Sequence, residues 1–84
     1  MNKKDEYREL KWKFVEVSAL QLAAIYDGDL EMAEYFRVRS LEFIKEAKKK
    51  FGKTERVMVY WNKDAKIEYY EHKDRYLANY KKYK

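Results

Sequence analysis

The chain has 84 residues, with 20 Lys and Arg against 15 Asp and Glu for a formal charge of +5, and it contains two glycines, no proline and no cysteine. That length supports one small domain with a limited core, and the missing cysteines exclude a disulfide framework and thiolate chemistry, which points to the cytoplasm. No apolar run is long enough to cross a bilayer and the opening Met1-Asn2-Lys3-Lys4-Asp5-Glu6-Tyr7 lacks the apolar stretch of a signal peptide, so no membrane is expected.

A first helix is expected over about 5–26. Tyr7, Leu10, Phe14, Val17, Ala24 and Ile25 make one stripe on it, and Trp12, Val15, Ala19, Leu22 and Tyr26 make a second beside it. From Val17 to Tyr26 there is no charge at all. A helix apolar over that much of its circumference needs cover on two sides, so it is expected at the centre of the fold.

Asp27-Gly28-Asp29 is a Gly-centred break, and a second helix is expected over about 29–51. Leu30, Met32, Ala33, Phe36, Ser40, Leu41, Phe43, Ile44, Ala47 and Phe51 share one broad side of it, opposite Glu31, Glu34, Arg39, Glu42, Lys45, Glu46 and Lys49. Asp29 is placed to cap the first turn, Lys48-Lys49-Lys50 suit the negative end of the dipole, and Gly52 is placed as the left-handed stop. So short a link folds the two helices back antiparallel. Gly28-Asp29-Leu30 followed by Ala33 and Phe36 resembles the middle of a tetratricopeptide-type helical hairpin. The resemblance implies the hairpin alone; there is no second copy in the chain and no function is carried over.

From Arg56 the pattern changes to alternation. Val57-Met58-Val59-Tyr60-Trp61 is rich in β-branched and aromatic residues, Asn62-Lys63-Asp64-Ala65 supplies turn formers, and strand-like composition resumes over Ile67–Tyr70. A β-hairpin is therefore expected over about 56–71, with Val57, Val59, Trp61, Ile67 and Tyr69 on an apolar face lying on the helices. Its weak point is Ala65, at a turn position that prefers glycine. The rival is one helix from Lys63 to Tyr83, which aligns Ala65, Tyr69, Tyr76, Tyr80 and Tyr83 and completes an all-α three-helix bundle. Either reading closes the chain with a helix over about 73–83. The expected fold is α+β, in the order α-α-β-β-α.

Motifs for catalysis are thin. Ala47-x-x-x-x-Gly52-Lys53-Thr54 fits the loosest phosphate-loop pattern, which needs a strand before it and a helix after it; the residues before it end an amphipathic helix. His72 is the single histidine. Glu68 and His72 share a face only if that segment is helical, and two ligands do not make a metal site. Neither Ser18 nor Ser40 has a histidine placed to serve it, and Glu68 with Glu71 lacks a pocket. The expectation is a non-enzyme with no cofactor and no metal.

Binding is the better reading. Lys45–Lys53 and Arg75–Lys84 each carry +4, so the rest of the chain sums to −3. Both runs suit helix C-termini and solubility, and both could also meet phosphate or an acidic surface. The run from Leu30 to Lys45 is similar to a helix-turn-helix, with Ala33 at the small-residue position and Ser40 as a cap. A hairpin after it would make a winged helix. Arg37 stands where that turn has glycine and the stripe continues to Ser40, which favours one unbroken helix. Nucleic-acid contact would fall to Lys45, Lys48, Lys49, Lys50 and Lys53 with the basic C-terminal end. On the outer hairpin face, Met58, Tyr60 and Tyr70 are the candidates for a protein partner, with base stacking as an alternative use of the tyrosines.

The first expectation is a small regulator or inhibitor acting on a protein partner, and the second is a nucleic-acid-binding protein. A free hairpin edge leaves homodimerisation open. Abundant Lys, Tyr and Glu with little Gly, Ala and Pro suits an AT-rich genome, such as that of a low-GC bacterium or its phage.

Overall fold

The computed structural model describes residues 2–52 and 55–83, with backbone only at 55–57. It consists of α1 (Lys3–Tyr26), α2 (Leu30–Phe51), α3 (Glu55–Glu71) and α4 (Lys73–Tyr80), followed by a 3-10 turn at Lys81–Tyr83.

The break between α1 and α2 follows from one glycine. Gly28 has φ 77, a left-handed conformation that a side chain opposes. It lets the Asp29 N–H reach back to Ala24 O (2.8 Å) and the Gly28 N–H to Ile25 O (3.0 Å), the paired bonds of a Schellman stop. Asp29 then opens α2, its Oδ1 accepting from Met32 N at 3.1 Å. One residue closes a helix with its backbone and starts the next with its side chain, so the link is short and the helices fold back. At the far end of α2, Gly52 has φ 87 and ψ −114. The positive φ matches expectation, but this ψ lies outside the left-handed helical well that was anticipated.

α1 is the central rod, packed against α2, α3 and α4. Six of its buried residues fall into two groups. Leu10 and Phe14 pack with Ile44 and Ala47 of α2 and Trp61 of α3. Ala19, Leu20, Ala23 and Ala24 pack with Ala33 and Phe36 of α2, Tyr69 of α3, and Tyr76 and Tyr80 of α4. Trp12, assigned by pattern to an apolar stripe, is instead 54% exposed.

The β-hairpin over 56–71 is not formed, and no strand occurs among the described residues. The α+β assignment is replaced by the all-α alternative. Residues 56–71 are helical because the segment must cover a helix groove. Trp61, Ala65 and Tyr69, four residues apart, are all buried, and that spacing puts them in one row of a helix. The hairpin register would have turned Val59 and Ile67 inward with Trp61, whereas both stand exposed. Strand preference in Val57–Trp61 is a matter of tenths of a kcal/mol per residue, up to ~1 kcal/mol. A hairpin would bury Trp61 and Tyr69 as well, but as two strands alone it is marginal and leaves backbone edges unpaired, whereas the helix satisfies its backbone internally and sets Ala65 in the same buried row. The turn chemistry agrees, since no non-glycine residue among the described residues has positive φ, and the alanine at position 65 disfavours the conformation a tight hairpin needs.

The rival single helix is also modified. The third rod starts earlier, at Glu55, and bends at His72, whose φ −134 and ψ 41 are not helical. The His72 N–H is shared between Glu68 O (3.1 Å) and Tyr69 O (3.2 Å), and the bend re-aims α4 so that Tyr76 and Tyr80 reach the alanine-rich half of α1.

Candidate binding surfaces

With 61–69 buried, helical geometry fixes what α3 shows to the outside. At about 100° per residue, Val59, Tyr60, Lys63, Lys66, Ile67 and Tyr70 share the side opposite Trp61. Val59 is 67% exposed, Tyr60 64%, Tyr70 52% and Ile67 46%. The two carboxylates of the same span are turned away from this side. Asp64 pairs with Lys11 of α1 at 2.8 Å, and Glu68, largely covered, takes Arg75 of α4 at 2.6 Å. What this side shows between Val59 and Tyr70 is apolar, aromatic and basic, with Asn62 exposed on the flank nearer the buried row.

Of the three residues expected to form a protein-binding face, the helix keeps two on the surface and removes one. Met58 is half-buried against the Trp61 cluster. Tyr60 and Tyr70 both point outward but are ten residues apart, about 15 Å along the helix axis. Tyr60 makes no hydrogen bond or ring contact among the described residues, whereas Tyr70 is tethered: its hydroxyl lies 2.6 Å from that of Tyr26 and its ring carries Lys73 Nζ at 5.3 Å. That bond pushes the Tyr26 phenol above its ordinary value. Periodicity read as alternation missed Val59, Lys63 and Ile67; read at a helical period from Trp61, the same residues identify themselves. Beside this face, Trp12, Val15, Asp64 and Ile67 line a cleft of ≈ 260 Å³ between α1 and α3.

The basic candidates divide differently. Lys45, Lys48 and Lys49 are exposed on α2, within about 100° of its circumference. None of the three has an ion pair among the described residues. Lys50 points to another side and is held by Glu46 at 3.3 Å. Lys53 lies outside the described residues, as does Thr54 of the phosphate-loop pattern. The segment before that pattern is helix, as expected; the segment after it is helix, where strand was expected, so the strand-loop-helix context is still missing. The winged-helix likeness also fails in detail. α2 runs unbroken through Arg37–Ser40, where Arg37 pairs with Glu34 (2.6 Å) and Ser40 Oγ donates to Arg37 O (2.8 Å). No wing follows among the described residues, and the strand edge invoked for homodimerisation goes with it.

Two further clefts carry polar side chains. One of ≈ 460 Å³ between α1 and α4 is lined by Glu16, Arg75, Asn79 and Lys82. The other, of ≈ 280 Å³, gathers Ser18 and Ser40 with Gln21, Asn62 and Lys66. Neither of these two brings a serine to the histidine. Near the hinge, the Tyr80 hydroxyl donates to Asp27 Oδ2, and this hydrogen bond, with burial, pushes the phenol up to about 12.

No helix among the described residues is long and apolar enough to cross a membrane. Compared with protein-family models, with curated proteins and with solved structures, the chain matched nothing.

Proposed function

We propose that this chain is a non-catalytic binding module, a small regulator or inhibitor whose partner is a protein presenting an acidic, amphipathic segment to the outward side of α3. The observation that supports this is the exposure of Val59, Tyr60, Ile67 and Tyr70 on one side of a single helix, with Lys63 and Lys66 among them. Four large apolar groups on one helix side are costly to leave in water, and tyrosine between aliphatic neighbours is a typical interface anchor. Two of the four are Val59 and Ile67, which have no flat face on which a base could stack, so a protein fits this side better than single-stranded nucleic acid. The lysines select an acidic partner.

Tyr60→Ala combined with Ile67→Ala changes only exposed positions, so the fold should persist by circular dichroism while retention of the partner captured from host extract is lost. Lys63→Glu with Lys66→Glu should abolish capture as well, and nuclease treatment should not. The reading fails if both pairs of substitutions leave capture intact.

A second reading rests on Lys45, Lys48 and Lys49, exposed together at the end of α2 and unpaired among the described residues. Such a cluster suits phosphate. In that case binding falls steeply with salt, and each lysine removed lowers the slope of log K against log salt by about 1. Capture would then depend on the α2 lysines and vanish with nuclease.

A further inference from the structure

The end of α3 places three potential metal ligands on one edge. Glu68, Glu71 and His72 stand at positions i, i+3 and i+4, and one donor atom from each lies within 4.8 Å of the others. The geometry points to a site for a divalent first-row transition ion, zinc foremost, held by Glu68, Glu71 and His72 at the bend between α3 and α4. This inference does not depend on the docking face proposed above.

Four features carry it. First, the cluster combines an imidazole with two carboxylates, a nitrogen-oxygen set that suits zinc and its neighbours better than magnesium or calcium, which prefer oxygen alone. Second, His72 occupies the cap position of α4 without making a side-chain cap bond, so its ring is not used by the local backbone. Third, Glu68 is oriented from behind. Arg75 Nη2 donates to its Oε1 at 2.6 Å and the Tyr76 hydroxyl donates to the same atom at 3.0 Å. Outer-shell donors hold ligating carboxylates in this way, and the same Oε1 lies 3.9 Å from His72 Nε2. Fourth, Glu71 and His72 are exposed. Donors around a tetrahedral zinc sit about 3.4 Å apart, given bond lengths near 2.1 Å, and closing the remaining distance falls to those two exposed side chains. Three protein ligands leave one position open to water, the arrangement of an accessible rather than a sealed site.

The chain is well suited to a clean test, because it holds one histidine and no cysteine. Zinc chloride is titrated calorimetrically into the purified full chain, with His72→Ala and Glu71→Gln as variants and circular dichroism as the check that each stays folded. Cobalt(II) replaces zinc in a parallel visible-absorption titration. The expected result is saturation at one ion per chain for the wild type, loss of saturation in His72→Ala and clear weakening in Glu71→Gln, with cobalt absorption following the same order. Absence of saturable binding in the wild type at millimolar zinc overturns the inference. So does equal binding by wild type and His72→Ala, which would put the ion elsewhere, or by wild type and Glu71→Gln, which would remove the third ligand.

Discussion

The two halves of α1 are packed by different means. The N-terminal half meets its neighbours through bulk: Leu10, Phe14, Ile44 and Trp61 interlock, with Tyr7 and Phe14 rings 5.5 and 5.6 Å from the Trp61 ring. The C-terminal half offers Ala19, Ala23 and Ala24, and tyrosines from α3 and α4 fill the space those small residues leave. The two hydroxyls from α4 are tied off at the margins, Tyr76 to Glu68 at 3.0 Å and Tyr80 to Asp27. Trp61 Nε1, by contrast, is buried with no hydrogen-bond partner among the described residues. Dispersion and burial hold the first cluster, with the half-exposed Lys11–Asp64 ion pair (2.8 Å) at its margin, and the second adds polar anchors that fix where α4 must lie. Non-directional packing supplies stability, while hydrogen bonds at the edge of an alanine floor supply register.

This contrast can be broken most forcefully at Trp61. Trp61→Ala removes the largest side chain of the bulky half and should cost ~3–5 kcal/mol, measured by urea unfolding; a loss below 1 kcal/mol would mean that the first cluster is not a packed unit. Ala23→Leu attacks the other half by overfilling it, at an expected ~1–3 kcal/mol. Because the alanine floor is what admits the tyrosines, hydrogen exchange should report loss of protection in α4 before α3. Gly28→Ala is a purely conformational change, since an added Cβ meets nothing within 4 Å. The left-handed backbone alone sets its cost at about 1–2 kcal/mol.

The smallest effect is expected from Tyr80→Phe, and it depends on pH. The folded chain pushes this phenol from 10.0 to about 12 through its bond to Asp27, and burial raises Tyr69 and Tyr76 as well. A group raised on folding stabilises the native state fully below its unfolded value and loses that contribution as pH rises through its folded one. Wild-type stability should therefore decline between pH 10 and about 12, and Tyr80→Phe, lower at neutral pH, should decline less over that window. Parallel curves in a thermal-melt series would show that the Tyr80–Asp27 bond does not contribute.

The candidate surfaces were partly legible before the fold was known. Lys45, Lys48 and Lys49 need only α2 to share a side, and the amphipathic rhythm from Leu30 to Phe51 is long enough to specify that helix. Lys50 belonged to the same run by composition, yet the helix turns it toward Glu46. On α3 the individual tyrosines were visible but their grouping was not. Val57–Trp61 is five residues of strand-like composition, too short to separate a strand from a buried helix by period, and reading it as alternation put Met58 with Tyr60 and Tyr70. The Glu68–His72 pair was seen as conditional on helix. Glu71 joins it because the helix forms.

The chain by itself determined its first two helices, their hinge and the central place of α1. A positive-φ glycine between two capping aspartates and an uncharged ten-residue stretch act locally, through backbone sterics and solvent exclusion. Tertiary structure alone decided residues 56–71, while a closing helix over about 73–83 was expected on either reading. In 56–71 strand-like composition and a helical row compete, and the outcome rests on whether Trp61, Ala65 and Tyr69 find a groove on α1, which no window of neighbouring residues contains.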